Sequence, residues 1–208
     1  SPFDEFACGR PYGLRRLDEH RIIFVDAYFG IFTVDFVQRK VIPVFLSTTK
    51  IDRQSSLHYI SDIAVIDEDR VVFTERSTVH YPAYKEYERM EHRANGRVHL
   101  LEISRNRISV LIKGLHEPSG IEVLPDKETF LLSETGTANI LSYSLKTRRL
   151  QTWSTQIPGL PGLIRLNSAK DFVWVGIEET RLHERGSTVS LAEYLRHWPY
   201  IRKLLLTV

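Results

Sequence analysis

Thirteen short runs rich in β-branched and aromatic residues, polar turns between them and a motif that recurs four times predict an all-β chain built of propeller blades. The motif is an apolar strand, a turn carrying Asp, Glu or Lys, and a second strand that ends in an acid. It reads GLRRLDEHRIIFVDA from Gly13, DIAVIDEDRVVFTE from Asp62, GIEVLPDKETFLLSE from Gly120 and GLIRLNSAKDFVWVGIE from Gly162. The units step by roughly 40 to 60 residues, the size of a propeller blade. Each motif supplies a blade's two inner strands, and the hairpin that follows supplies the outer two.

The first unit continues from its inner pair into residues 30–36 and 40–46, at hairpin distance from 21–27. In the second, residues 62–66 and 70–75 are followed by a polar insertion, 79–94. Its alternating charges predict an exposed helical turn or two before Asn95-Gly96 turns back into strands 97–103 and 108–114. The third unit is complete, with strands at 120–124, 129–134, 139–145 and 150–155; the fourth has 162–166 and 172–178 and no clear outer strands. Near the C-terminus, Ser190-Leu191-Ala192-Glu193 fits a capping box, and Leu191, Tyr194, Leu195 and Trp198 fall on one helical face before Pro199 stops the helix. That face is expected to pack on the propeller rather than on a membrane.

Four units with an unfinished fourth do not obviously close a propeller, and open ends leave long sheet edges. The chain is therefore expected to continue at both ends. Residues 8–208 read as a partial propeller, 1–7 as an N-terminal tail and 79–94 as an insertion within the second blade unit.

Composition narrows the class. Apolar residues at 42% and charged residues at 26% suit a globular domain with one core. The formal charge of +2 comes from interspersed Lys/Arg and Asp/Glu, with no basic run to track phosphates, so nucleic acid is not expected as a partner. No stretch approaches the ~20 apolar residues that span a bilayer. Cys8 is the only cysteine, either an ordinary thiol or half of a disulfide whose partner lies elsewhere. None of the asparagines, Asn95, Asn106, Asn139 and Asn167, begins a glycosylation sequon.

Several motifs together resemble one known family. Cys8-Gly9-Arg10-Pro11-Tyr12-Gly13-Leu14 and Val25-Asp26-Ala27-Tyr28-Phe29-Gly30-Ile31 are similar to signatures of strictosidine-synthase-like proteins. Phe73-Thr74-Glu75, Asn95-Gly96-Arg97, Leu132-Ser133-Glu134-Thr135 and Val173-Trp174-Val175-Gly176 follow in the same order. The tail Leu191-Ala192-Glu193-Tyr194-Leu195 with Trp198-Pro199-Tyr200-Ile201-Arg202 completes the likeness, which runs from about residue 8 to the end and leans to the animal branch. The resemblance implies a six-bladed β-propeller of which this chain covers about four blades. It also implies a partner for Cys8 just upstream, and a protein anchored in a membrane with its propeller on the lumenal or extracellular face. The membrane would then be met only through a segment outside this chain.

The resemblance also implies where chemistry belongs. Related propellers hydrolyse esters and lactones at a calcium ion in the central tunnel, held by Asn and Asp at the starts of inner strands. The corresponding positions here are Ser61-Asp62, Pro118-Ser119-Gly120 and Pro161-Gly162-Leu163. Two amides have become hydroxyls and an acidic pair has become Gly-Leu, so Ser61, Ser119, Gly162 and Leu163 are degenerate metal positions and only Asp62 keeps a charge. No cofactor is expected, calcium entering only if the substituted site still binds it. The plainer reading is a polar tunnel lining that satisfies strand ends and water. Strictosidine synthase uses no metal and relies on a glutamate near its last blade, a region beyond Val208.

His58 and His116 each precede an inner strand by a few residues and could act as bases at the tunnel mouth, beside Ser61, Asp62 and Ser119 as substrate-binding candidates. Glu75 and Glu134 end second strands, where an acid more often serves a turn or a blade joint; Glu122 also carries a carboxylate. There is no G-x-S-x-G elbow, Gly-rich phosphate loop or Cys/His zinc spacing. Two readings follow: a hydrolase of small aryl or carboxylic esters, or a non-catalytic binding propeller for a small ester or hydrophobic ligand. The retained scaffold favours both equally and the lost ligands favour the second.

Overall fold

The computed structural model describes residues 5–51, 56–155, 157–180, 194–195 and 198–205. Among them, fourteen strands form four antiparallel sheets. The first is β1 (Pro11–Arg16), β2 (Arg21–Asp26), β3 (Gly30–Asp35) and β4 (Lys40–Leu46), in that spatial order. The second is β5 (Tyr59–Val65), β6 (Arg70–Ser77), β7 (Gly96–Glu102) and β8 (Arg107–Leu115). The third is β9 (Pro118–Val123), β10 (Thr129–Glu134), β11 (Asn139–Ser144) and β12 (Arg149–Ser154), and the fourth pairs β13 (Gly159–Leu166) with β14 (Val173–Thr180). The described residues thus hold three complete four-stranded blades and the inner pair of a fourth.

One turn chemistry repeats at the inner hairpins. Asp18 Oδ1 accepts the amides of His20 and Arg21, Asp67 Oδ1 those of Asp69 and Arg70, and Asp126 Oδ1 those of Glu128 and Thr129. At the fourth hairpin Asn167 Oδ1 takes the amides of Asp171 and Phe172. A short side-chain acceptor that caps the next two free N–H groups fixes a tight turn, which is why the motif keeps Asp or Asn there.

Period-two alternation then distributes side chains between neighbouring blades. Val71 and Phe73 of β6 join Ile23, Val25 and Ile31 of blade one, whereas Val72 of the same strand joins Ile121, Phe130 and Leu132 of blade three. Leu131 and Ile140 pack on Ile164 of blade four. Phe73, Phe130 and Ile121 are wholly buried, each worth about 1.5–3 kcal/mol against exposure. The outer strands β4 and β12 are largely exposed.

Hydroxyls rivet the inner strands together. Thr74 Oγ1 accepts the Asp62 amide at 3.0 Å and donates to the Ser119 carbonyl of the next blade at 2.6 Å. Ser133 repeats this one blade on, taking the Gly120 amide at 2.7 Å and donating to the Gly162 carbonyl at 2.6 Å. The close approach needs glycine: a Cβ at Gly120 would stand 2.5 Å from the Gly162 carbonyl oxygen, and one at Gly13 would stand 2.3 Å from Asp62 Oδ1.

Two sequence expectations change. The insertion forms a 3-10 turn at Pro82–Tyr84 and a helix α2 at Lys85–Glu91, after α1 (Glu5–Cys8), but it is not simply exposed: Glu88 and Arg89 are buried. Charge alternation could not reveal this, because the buried residues are themselves charged: Arg89 finds carboxylates on the blades, and Glu88 the Ser77 hydroxyl and the Asn95 amide. Near the C-terminus Tyr194 is helical and Trp198 is not, and Pro199 then opens a further helix, α3 (Pro199–Leu205), that the sequence reading did not place. Proline suits a first helical turn, where its missing N–H has no partner to lose. Leu195 is buried while Tyr194 and Trp198 are exposed; the capping-box residues Ser190, Leu191, Ala192 and Glu193 lie outside the described residues.

Candidate tunnel site

The inner strands β1, β5, β9 and β13 line the axis, and aligning their sequences places Gly13, Asp62, Gly120 and Gly162 in one slot. Asp62 is therefore the one carboxylate in a ring otherwise made of glycines, and the missing Cβ of Gly13 gives it room. It is wholly buried. Its two oxygens are not free to face a ligand. Arg165 of β13 clamps both, Nη1 to Oδ2 at 2.7 Å and Nη2 to Oδ1 at 3.1 Å. The Ile121 amide donates to Oδ2 at 3.0 Å, and Arg15 Nη2 of β1 reaches it at 3.4 Å while also bonding Glu122 at 3.1 Å. One residue from the inner strand of each of the four described blades thus enters a single ionic cluster of two guanidiniums and two carboxylates. Burial lowers the Arg15 pKa, with Asp62 and Glu122 opposing.

This donor set does not fit a calcium ion. Calcium takes six to eight oxygens around its own positive charge, and here fixed guanidiniums already supply that charge to Asp62. Ser61 and Ser119, both buried, face each other with their hydroxyl oxygens 3.5 Å apart. The Gly162 carbonyl is the acceptor of Ser133, and Leu163 brings only an aliphatic side chain, partly exposed. No group of three or more His, Cys, Asp or Glu arranged to hold a metal occurs among the described residues.

A second cluster lies at the tunnel mouth, where second strands end. Arg76 of β6 forks onto Glu178 of β14 at 2.8 and 2.9 Å, and its guanidinium carbon lies 5.8 Å from the centre of the Tyr59 ring. Arg89 of α2 reaches Glu178 at 3.0 Å and Glu179, and Glu117 lies 3.5 Å from Arg89 and 3.8 Å from Arg76. Burial works to raise the Glu178 carboxyl, but the Arg76 and then the Arg89 guanidinium outweigh it and hold its pKa down at about 2. Ser119 Oγ sits 3.4 Å from Glu178 Oε1, which links this cluster to the serine pair. Burial also raises the Tyr59 phenol, whose oxygen is 3.4 Å from that of Tyr12.

The two histidines stand apart from the serines. The His58 amide donates to Glu75 Oε1 at 3.0 Å and its ring lies against Tyr81; the His116 amide donates to Glu134 Oε1 at 2.9 Å and its ring stacks on His92. Glu75 and Glu134 therefore play one repeated part, receiving the backbone at the entrance of an inner strand. Glu75 also accepts Arg97 Nε and His99 Nε2, both at 2.8 Å. Burial tends to raise its carboxyl, but the His99 and Arg97 hydrogen bonds bring it below the usual range.

Of the sequence-derived candidates, the structure brings Ser61, Asp62 and Ser119 together at the axis and leaves His58 and His116 at blade entrances. Sequence reading missed Arg15, Arg76, Arg165 and Glu178. Their signal was present: each is a charged residue within or ending an inner-pair strand, where apolar residues predominate.

A family profile described as strictosidine synthase matches residues 61–148. Adipocyte plasma membrane-associated protein of Danio rerio is 30% identical over 205 residues, covering 97% of this chain and 48% of its own length. The Homo sapiens protein of that name is 27% identical over 206 residues, with 97% and 48% covered. Protein strictosidine synthase-like 3 of Arabidopsis thaliana is 27% identical over 209 residues, with 98% and 50% covered. The chain spans about half the length of these relatives. Among solved structures, a nidogen/laminin complex matches with TM-score 0.57 at 15% identity, over 79% of this chain and 56% of that one. The tricorn protease matches with TM-score 0.53 at 12% identity, over 85% and 15%. At such identities these two speak to the fold alone.

Proposed function

The chain belongs to the strictosidine synthase-like propeller family, and on that premise we propose that it forms part of a non-catalytic, ligand-binding propeller. Its tunnel charge is satisfied from within by arginine instead of by a metal ion. The observation that carries this reading is the Arg165 clamp on Asp62. The one carboxylate left at the metal positions cannot polarise a carbonyl or activate water through a cation while a guanidinium occupies both its oxygens. The ligand suggested by the mouth is small and largely apolar, with an ester or hydroxyl that meets Ser61 and Ser119, the tyrosine pair Tyr12 and Tyr59 giving it an aromatic wall.

A second reading, metal-free ester hydrolysis, draws on the Ser119 hydroxyl beside the Glu178 carboxylate. A carboxylate held at about 2 by two guanidiniums is a weak base, so its proton affinity opposes activation of that hydroxyl. The test is hydrolysis of an aryl acetate by the full-length folded protein, with and without chelator. The binding reading expects turnover at background in both; chelator-sensitive turnover above background would overturn it, and chelator-insensitive turnover lost in Ser119→Ala would establish the second reading.

The names of the relatives also support attachment to a membrane, which we place in a segment outside this chain with the propeller on the lumenal or extracellular side. Among the described residues no helix is long and apolar enough to cross a bilayer. Digestion of the propeller by protease in intact, sealed microsomes would contradict a lumenal position.

A further inference from the structure

Helix α2 is anchored in an unusual way. Its only buried residues are Glu88 and Arg89; no apolar side chain of the helix is buried. Glu88 pairs with the Ser77 hydroxyl and with Asn95 Nδ2 at 3.3 Å, both within its own blade. Arg89 instead leaves blade two altogether and reaches Glu117 at the start of blade three and Glu178 and Glu179 at the end of β14. His80 Nε2 meets Glu91 Oε2 at 3.1 Å, and His92, the left-handed residue that ends the helix, stacks on His116. Among the described residues, the ties from the helix to the blades are thus polar contacts and the stacked His92–His116 rings, and α3 also lies beside the helix. On the chain-entry side, by contrast, Tyr81 packs between Tyr28, Phe6 and His58, and Pro82 is buried.

The polar ties are also incompletely satisfied. Glu88 Oε1, Asn95 Oδ1, both Glu117 oxygens, Glu179 Oε2 and the Nε atoms of Arg76 and Arg89 are buried without a hydrogen bond from the described residues. Each such group lowers the stability of the closed arrangement and gains when water reaches it. Elements with few buried apolar contacts and strained polar ones are those that open locally, well below the global unfolding free energy.

We propose that residues 81–95 form a lid over the tunnel mouth, hinged at the aromatic Tyr81-Pro82 seat and latched by Arg89. Closed, Arg89 bridges blades two, three and four across the opening where Tyr59, Ser61, Ser119 and Glu178 lie. Open, it exposes that mouth to a ligand without disturbing a strand. The lid refines the ligand-binding reading by naming its access route, and its opening is read without any ligand, so either can fail alone.

The experiment is hydrogen exchange followed by mass spectrometry on the full-length protein, wild type against Arg89→Met. Peptides covering residues 85–92 should exchange about tenfold faster or more in the variant, with peptides from β6 and β10 unchanged. No acceleration, or equal acceleration in all of them, would overturn the proposal. If Arg89→Met does not fold, Glu179→Gln loosens the latch from its other side and is read by the same criterion.

Discussion

Arg165 Nη1 and Nη2 hold Asp62 Oδ2 and Oδ1 at 2.7 and 3.1 Å, across the axis from blade four to blade two. The pair has two consequences: it neutralises the buried Asp62 carboxylate, and it ties together strands that share no backbone hydrogen bond. Replacing Arg165 by Ala leaves a wholly buried carboxylate with only the Ile121 amide and the more distant Arg15. The full-length protein should lose about 3 kcal/mol, read as a lower denaturation midpoint in urea. The double variant Asp62→Leu, Arg165→Leu should recover most of that loss, since no charge is then left unpaired.

Space at Gly13 is needed for that carboxylate. Gly13→Ala would set a Cβ 2.3 Å from Asp62 Oδ1 and 2.8 Å from its Cα, and should cost about 1–3 kcal/mol. Gly176→Ala is the control, its nearest neighbour being an ordinary 3.6 Å away. Equal destabilisation of the two by thermal unfolding would show that crowding at Asp62 is not the cause.

The Thr74 rivet predicts a different signature. Thr74→Val keeps the shape but strips the Asp62 amide and the Ser119 carbonyl of their shared hydroxyl. Stability should fall by about 1–3 kcal/mol. Thr74→Ser, which restores the hydroxyl, should regain at least half.

Acid should act through Glu178. Its folded pKa of about 2 lies below its ordinary value of 4.5, so its contribution is present above pH 4.5 and is lost as the pH falls from there toward 2. Melting temperature should decline over that window, and Glu178→Gln should start lower at neutral pH and decline less steeply. A variant with the wild-type acid slope would remove Glu178 from the account.

How far the sequence reached follows from these residues. Inner hairpins were legible because Asp18, Asp67 and Asp126 act locally, within three residues of the amides they cap. Strand runs were legible because blade-to-blade packing imposes alternation on each strand separately. The clamp was not, since Arg15, Asp62, Glu122 and Arg165 meet only when four blades share an axis, and nothing local marks which charges will face one another. The same reason hid Arg89: a helix buried through its charges has the pattern of an exposed one. The family resemblance pointed to Ser61, Asp62, Ser119, Gly162 and Leu163 as candidate positions, but not to the arginines that pair with Asp62.

Calorimetric titration of calcium into the chelator-treated full-length protein, beside its Asp62→Asn variant, addresses the tunnel charge most directly. With Arg165 serving as the cation of Asp62, no tight binding should depend on Asp62, and the two isotherms should coincide. Stoichiometric binding in the wild type that Asp62→Asn abolishes would contradict an arginine-filled site.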